Sequence, residues 1–360
     1  MKKLKLRKKV ICAMSGGVDS SVAAALLKRA GFEVVGVFMK FWSEPAKNSL
    51  VGAWNRCCSP EAEKRARQVA ANLNIPFYVF NFEKEFKKRI VNYFLKEYKA
   101  GLTPNPCVVC NKEIKFGLLL EKALALNADY VATGHYARLQ KKKDDIHLLK
   151  GKDKEKDQSY FLWQLNQKQL KYTLFPIGDY TKTQVRNLAK KLKLPVFKTP
   201  ESQEICFIQT TINDFLARHI KQKSGKIVDT KGKILGYHQG LTFYTIGQRK
   251  GIKLSGGPFY VLDKNLKKNL LIITRNEKDL FKKELIAKKV NWISGKKPKL
   301  PLKIKAKIRY RYTAASTMIT KTLNPKTYHL KFNWLQRAIT PGQSVVFYKG
   351  QELLGGGIIC

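Results

Sequence analysis

The sequence predicts an α/β protein with a doubly wound parallel sheet at its N-terminal end, followed by a small central α+β domain and a C-terminal β-barrel. Three observations carry this expectation. Apolar, β-branched runs alternate with helical patterns over roughly the first two hundred residues, Gly-punctuated short segments begin near 210, and short alternating strands run from about 285 onward. The expected boundaries are 1–209, 210–284 and 285–360. A chain of 360 residues with 44% hydrophobic composition exceeds what one compact domain usually carries, so several cores are expected.

The elements follow in order. "KVICAM" (9–14) reads as a buried strand, "SVAAALLKRAG" as a helix that ends at Gly31, and "FEVVGVFMKF" as the next strand. "SPEAEKRARQVAANLN" offers Ser59 as a cap and Pro60 at the first helical position, and "IPFYVFNF" follows as a strand. A helix near "KFGLLLEKALALN" precedes the strand in "ADYVATGHYA", and "SYFLWQL" reads as an aromatic helix. In such a βαβα rhythm, ligands sit at the carboxyl ends of the strands. "LKIKAKIRYRYT", "KTYHLKFNW" and "SVVFYKGQELLGGGII" are the barrel strands.

Charge narrows the partners. Seventy Lys and Arg against 26 Asp and Glu give a net charge of +44, which attracts a polyanion, although lysine-biased composition accounts for part of the excess. No window of about 18 uncharged apolar residues occurs, and the apolar stretch near the N-terminus is too short for a cleavable signal. No long helix with lysines on one face and large apolar residues on the other stands out either. A cytoplasmic protein without membrane contact is expected. Seven cysteines, at 12, 57, 58, 107, 110, 206 and 360, are too few and too unevenly spread for a disulfide framework, which favours catalytic or metal roles.

"AMSGGVDSSV" (13–22) follows a buried strand and opens a helix. Ser15, Gly16 and Gly17 let backbone N–H groups turn toward one point at a helix N-terminus, where phosphate is the natural occupant. The loop lacks both the Gly-Lys-Ser/Thr ending of a Walker A loop and the G-x-G-x-x-G of a dinucleotide fold. Asp19 beside polyphosphate is repulsive unless it faces Mg²⁺. With this acid in place, S-G-G-x-D-S resembles the loop of the pyrophosphatase-loop ATPases, which split ATP between the α and β phosphates and transfer AMP to an oxygen. The adenine nucleotide α-hydrolase-like fold goes with that resemblance.

Further motifs sharpen it. "TPNPCVVCNKEIKF" (103–116), "ATGHYAR", "KDQSYFLWQL", "SQEICFI", "HQGLTFYTIGQRKG", "RYRY" and "TPGQSVVFYKG" occur in this order. Together they resemble the tRNA-specific 2-thiouridylases, which replace the C2 oxygen of the wobble uridine (position 34) with sulfur. Oxygen at C2 leaves poorly, so adenylation by ATP has to precede sulfur attack, and a persulfide sulfur needs a second thiol to release it.

The resemblance implies a role for each matching residue. Cys206 carries the persulfide, and Cys110 is the nucleophile that resolves it through a transient Cys110–Cys206 disulfide. Ala13, Met14, Ser15, Gly16, Gly17, Val18, Asp19, Ser20, Met39 and Gly134 contact ATP, with Mg²⁺ near Asp19. Asn105, Pro106 and Cys107 receive the target base. His135, Lys156, Asp157, Gln158, Arg309, Tyr310 and Gln343 contact tRNA. The partners are tRNA and a persulfide sulfur-donor protein, such as a cysteine desulfurase or a relay.

Cys107 departs from many relatives, which hold an aspartate there. Either Cys107 carries a proton as a low-pKa thiolate, or it joins Cys110 and Cys206 as ligands of a [4Fe–4S] cluster. A zinc site completed by Cys57, Cys58 or His135 is a third reading. Two other functions compete with the leading one. A ligase that adenylates a small carboxylate leaves Cys110, Cys206 and the basic barrel without a use. An RNA-binding module with a zinc clip leaves Asp19 and the Ser-Gly-Gly turn without one.

Overall fold

The computed structural model describes residues 7–44, 58–197, 199, 205–324 and 326–360, and the statements below concern these residues. Strands β1 (Lys9–Ala13), β2 (Glu33–Lys40), β3 (Phe77–Asn81) and β4 (Tyr130–Ala132) form a sheet with β7 (Thr173–Leu174), in the order β3-β2-β1-β4-β7. Every pairing in it is parallel. The strand order reverses between β1 and β4, which opens a crevice at their carboxyl ends. Helix α1 (Val18–Arg29) leaves β1 through the Ser-Gly-Gly turn, and Gly31 follows it at φ +86°. Helix α2 (Pro60–Asn72) is capped as expected, with Ser59 Oγ accepting from Ala62 N and Pro60 at its first position. The aliphatic faces of β1, β2 and α1 close the core of this domain, where Val10, Val22, Val37 and Val131 are fully buried.

Between β4 and β7 the chain makes an excursion. Strands β5 (Ala137–Lys142) and β6 (Asp145–Lys150) form a hairpin that leaves the parallel sheet and pairs with the C-terminal barrel. The aromatic segment after it forms only a short 3₁₀ turn, Ser159–Leu162, where a helix was expected. Its rings are consumed in packing: Trp163 and Tyr160 are fully buried and donate to Ser344 Oγ at 3.0 Å and Ser344 O at 2.9 Å.

The central domain is a four-stranded sheet of β8 (Gly225–Val228), β9 (Ile234–His238), β10 (Tyr260–Asn265) and β11 (Leu270–Thr274), in the order β10-β11-β8-β9. Strands β12 (Phe281–Trp292), β13 (Leu302–Lys307), β14 (Ala315–Lys321), β15 (Thr327–Arg337), β16 (Ser344–Lys349) and β17 (Glu352–Ile359) run antiparallel, and β12 pairs with β17 to close the barrel. The glycines of "LLGGGII" on β17 explain the tight join to the rest of the chain. A Cβ on Gly356 would lie 2.8 Å from Trp163, and one on Gly355 would lie 2.1 Å from Asn291 O. The expected succession of a doubly wound sheet, a small α+β domain and a barrel is observed.

Candidate active site

The phosphate loop is built by its own hydroxyls. Ser20 Oγ accepts from Ser15 N at 3.1 Å and lies 3.2 Å from Gly17 O, to which it donates, while Ser21 Oγ donates to Gly17 O at 2.9 Å. Gly17 caps α1 without any side-chain hydrogen bond, so the first N–H groups of the helix face outward, the arrangement an anion needs. Gly16 is required twice over. Its φ is +71°, and a Cβ there would lie 2.1 Å from Ala62 O on α2. Gly134, at the end of β4, packs just as closely against the loop: a Cβ would meet Ser20 N at 2.6 Å and the Asp19 carbonyl carbon at 2.8 Å.

Asp19 has partners that the sequence reading did not name. Lys182 Nζ lies 2.8 and 2.9 Å from its two carboxylate oxygens, and Tyr136 OH donates to Oδ1 at 2.8 Å. The expectation that repulsion from polyphosphate demands a metal therefore has a second answer, because Lys182 offsets the charge. A signal for Lys182 exists in the sequence. It occupies the first position of the helix Lys182–Lys191, after a capping box on Thr181, and a cation there opposes the helix dipole. Such a cation is held by something else.

A cleft of about 1230 Å³ opens from this loop and collects most of the expected residues. Ala13, Met14, Ser15, Gly17, Val18, Asp19, Ser20 and Met39 line one side, and Gly134 and His135 the floor. Pro106, Cys107, Cys110 and Cys206 line another wall, while Lys156, Asp157, Gln158 and Tyr310 reach it from the barrel side. The sequence reading missed the basic groups Arg65, Lys115, Lys150, Lys154, Lys307 and Arg311, which lie in the same cleft. Gly16, Asn105, Arg309 and Gln343 do not line it.

The cysteine loop is rigid for stated reasons. Asn105 caps the helical turn Pro106–Cys110, its Oδ1 accepting from Val108 N at 3.4 Å, and Pro106 occupies the first helical position. From the barrel, Gln343 Nε2 donates to Thr103 O at 3.0 Å and Pro104 O at 3.4 Å, and Pro341 O accepts from Thr103 N. The Arg309 guanidinium donates to Ile246 O, Ala338 O and Thr340 Oγ1, which ties the barrel to the central domain. Tyr310 packs its ring 4.5 Å from that of Phe161. In this structure Gln343 and Arg309 join domains.

The "KDQ" step is turned inward in the same way. Asp157, buried, accepts from Gly151 N and Ser159 N at 3.1 Å each, and Gln158 Oε1 accepts from Tyr136 N at 3.0 Å. Lys156 N donates to Asp153 Oδ1. His135 is buried between Phe116 and Phe175, with Nδ1 2.7 Å from Thr133 Oγ1. Burial and then the Lys115 charge hold it well below the usual imidazole range, which favours the neutral ring.

The thiols Cys12, Cys58, Cys107, Cys110, Cys206 and Cys360 are all unbridged, and Cys57 lies outside the described residues. Cys107 is exposed on the wall of the cleft. Loss of water pushes it up to about 11 and the buried Cys110 up to about 12, with Lys115 opposing both and the charge of Cys206 adding to both. Desolvation outweighs the lysine at Cys107, a direction that does not favour a low-pKa thiolate there. Among the described residues, no three His, Cys, Asp or Glu side chains converge as metal ligands, so the thiols as placed do not fit a [4Fe–4S] or zinc site. Nor is any helix among the described residues long and apolar enough to cross a membrane.

Comparison with known proteins agrees with this geometry. Residues 8–210 match the family described as tRNA methyl transferase HUP domain, 213–275 the tRNA methyl transferase PRC-barrel domain, and 282–359 the aminomethyltransferase beta-barrel domain. The chain is 48% identical to the tRNA-specific 2-thiouridylase MnmA of Clostridioides difficile, covering 98% of both chains. It is 47% identical to that of Clostridium kluyveri, covering 98% of this chain and 99% of the relative. Among solved structures, a 4-thiouridine synthetase in complex with RNA and ATP is 15% identical with a TM-score of 0.37, covering 59% of this chain and 50% of that one, too distant to carry an argument. With a phosphate loop and three thiols opening into one cleft, and near-half identity over almost the full length, the chain belongs to the tRNA-specific 2-thiouridylase family.

Proposed function

We propose that this protein catalyses ATP-dependent 2-thiolation of the wobble uridine (position 34) of tRNA. The observation that carries the reading is the meeting of the 13–20 loop with Cys107, Cys110 and Cys206 in a single basic cleft. ATP binds with its phosphates on the outward N–H groups of α1; Asp19 would be the residue to hold a Mg²⁺ ion, which would supply charge neutralisation to the phosphates. The uracil C2 oxygen attacks the α phosphorus, an O–P bond forms, and pyrophosphate leaves. Lys182 and Tyr136 keep Asp19 compatible with that charge.

Sulfur follows. The terminal sulfur of a Cys206 persulfide, loaded by a donor protein, attacks C2 and AMP departs with the oxygen. The Cys110 thiolate then attacks Cys206 Sγ, the bond to the sulfur on C2 breaks, and 2-thiouridine leaves with a Cys110–Cys206 disulfide behind. The sulfane sulfur is reduced and the two thiols are oxidised, so electrons balance. Cys107, protonated and beside the pocket, is suited to donating a proton to the base.

Asn105, Pro106 and Cys107 frame the flipped base, and Lys150, Lys154, Lys156, Lys307 and Arg311 supply phosphate contacts at the cleft. Gln343, Arg309 and Tyr310 serve tRNA binding by holding the cysteine loop and the barrel in register. The test is a thiolation assay with purified tRNA, ATP and a persulfide donor, in which organomercury gel retardation reports the new sulfur. Pyrophosphate release that is indifferent to tRNA would instead identify a small-molecule ligase, and absence of release a binding module. Cys206→Ser should release pyrophosphate yet leave the tRNA unthiolated.

A further inference from the structure

Cys107 and Cys110 are one helical step apart on a helix that changes its winding just after them. Residues Pro106–Cys110 are α-helical, Asn111–Leu118 are π-helical, and Leu119–Ala125 are α-helical again. In an α-helix each residue turns by about 100°, so a residue five along would point roughly 140° away from Cys110. The wider π turn advances by roughly 80° per residue, which brings the fifth residue back to within about 40°. That residue is Lys115. Gly117 is part of the device, since a Cβ there would lie 2.8 Å from Lys112 O, the carbonyl five residues before it.

We propose that Lys115 is the cation that activates the Cys110 thiol, and that the π-helical segment exists to carry it onto the cysteine face. Lys115 lines the cleft together with Cys107, Cys110, His135 and Cys206. Among the described residues it has no ion-pair partner. The acid on its own helix, Glu113, is taken by Lys112 at 3.3 Å and Arg89 at 3.2 Å. The groups that act electrostatically on Cys110 are Lys115, Cys206 and Cys107, and of these only Lys115 favours the thiolate. Without it, burial and two neighbouring thiols all oppose ionisation of the nucleophile. Lys115 acts by its charge. The proton of Cys110 leaves to solvent, and the thiolate forms its new S–S bond while the bond between Cys206 Sγ and the transferred sulfur breaks. This last role rests on the thiolation reading above, whereas activation of the thiol does not.

The test is the alkylation rate of Cys110 in the full-length protein, followed by mass spectrometry with iodoacetamide near pH 8.5, where rate follows the thiolate fraction. Lys115→Met should slow it by about fivefold, and Lys115→Arg should restore it to within about twofold. Lys112→Met, which removes the same charge from the exposed side, should leave it unchanged. Gly117→Ala perturbs the winding with all charges kept, and should slow alkylation by at least about twofold. Circular dichroism and ATP binding certify each variant as folded. A wild-type rate in both Lys115→Met and Gly117→Ala, or equal slowing in Lys112→Met, would overturn the inference. Slowed Cys110 alkylation in Lys115→Met, together with undiminished tRNA thiolation in Cys110→Ser, would keep the activation claim and overturn the role of Cys110 in thiolation.

Discussion

Replacing Lys182 by Met tests whether the phosphate loop depends on a neutralised Asp19. Lys182 Nζ spans both carboxylate oxygens at 2.8 and 2.9 Å, with its own side chain 11% exposed and that of Asp19 31% exposed. The variant leaves a bare carboxylate two residues past Gly17, and its repulsion is worked for a phosphate on the order of 6 Å away. At an effective dielectric constant of about 40 that repulsion amounts to about 1.4 kcal/mol. Loss of the lysine's own attraction adds a similar amount, and exposure of Asp19 trims the sum to about 2 kcal/mol. ATP affinity should therefore fall by about 30-fold. Isothermal titration with ATP in the absence of divalent cations, where Asp19 has no metal to hold, measures it directly, and the companion Asp19→Asn/Lys182→Met variant should recover about tenfold of the loss, since the repelling charge is gone. An unchanged affinity in the single variant, or no recovery in the double, would refute the reasoning.

Other outcomes follow from single contacts. Gly134→Ala forces a methyl against the backbone of Asp19 and Ser20, and ATP binding by titration should drop at least about tenfold while circular dichroism stays native. Gln343→Ala strips the Thr103 and Pro104 carbonyls of their donor, which costs about 1 kcal/mol and should speed amide exchange over 103–110, distant from the mutation in sequence. An exchange pattern confined to the barrel would count against it. His135 is kept neutral by burial in the folded chain, whereas the unfolded chain binds a proton below about pH 6.5, so stability should fall as pH falls through that value. Thermal melts between about pH 7.5 and 5.5 check this, and His135→Gln should flatten the acid limb.

The local elements were legible because their signals are local. Ser59 and Pro60 announced α2, the β-branched runs announced β1 to β3, and "AMSGGVDSSV" contained its own turn chemistry. The aromatic segment 159–165 was not legible. Its helical pattern yields to Trp163 and Tyr160 packing on Ser344, a partner about 180 residues away. The same limit hid the hydrogen bonds of Arg309 and Gln343 to carbonyls of other domains, which residue type does not reveal.

The sequence by itself determined the phosphate loop, the order of the three folding units, the basic character of the surface and the identity of the thiols, because each depends on residue type and short spacing. Tertiary structure alone decided which charge balances Asp19, which thiols share a cleft with it, and where Lys115 points. Those depend on groups that meet across some 160 residues for Lys182 and Asp19, and on a change of helical winding that no residue count reveals. Electrostatics acts through space, so the partners of a charge are settled only when the chain has folded.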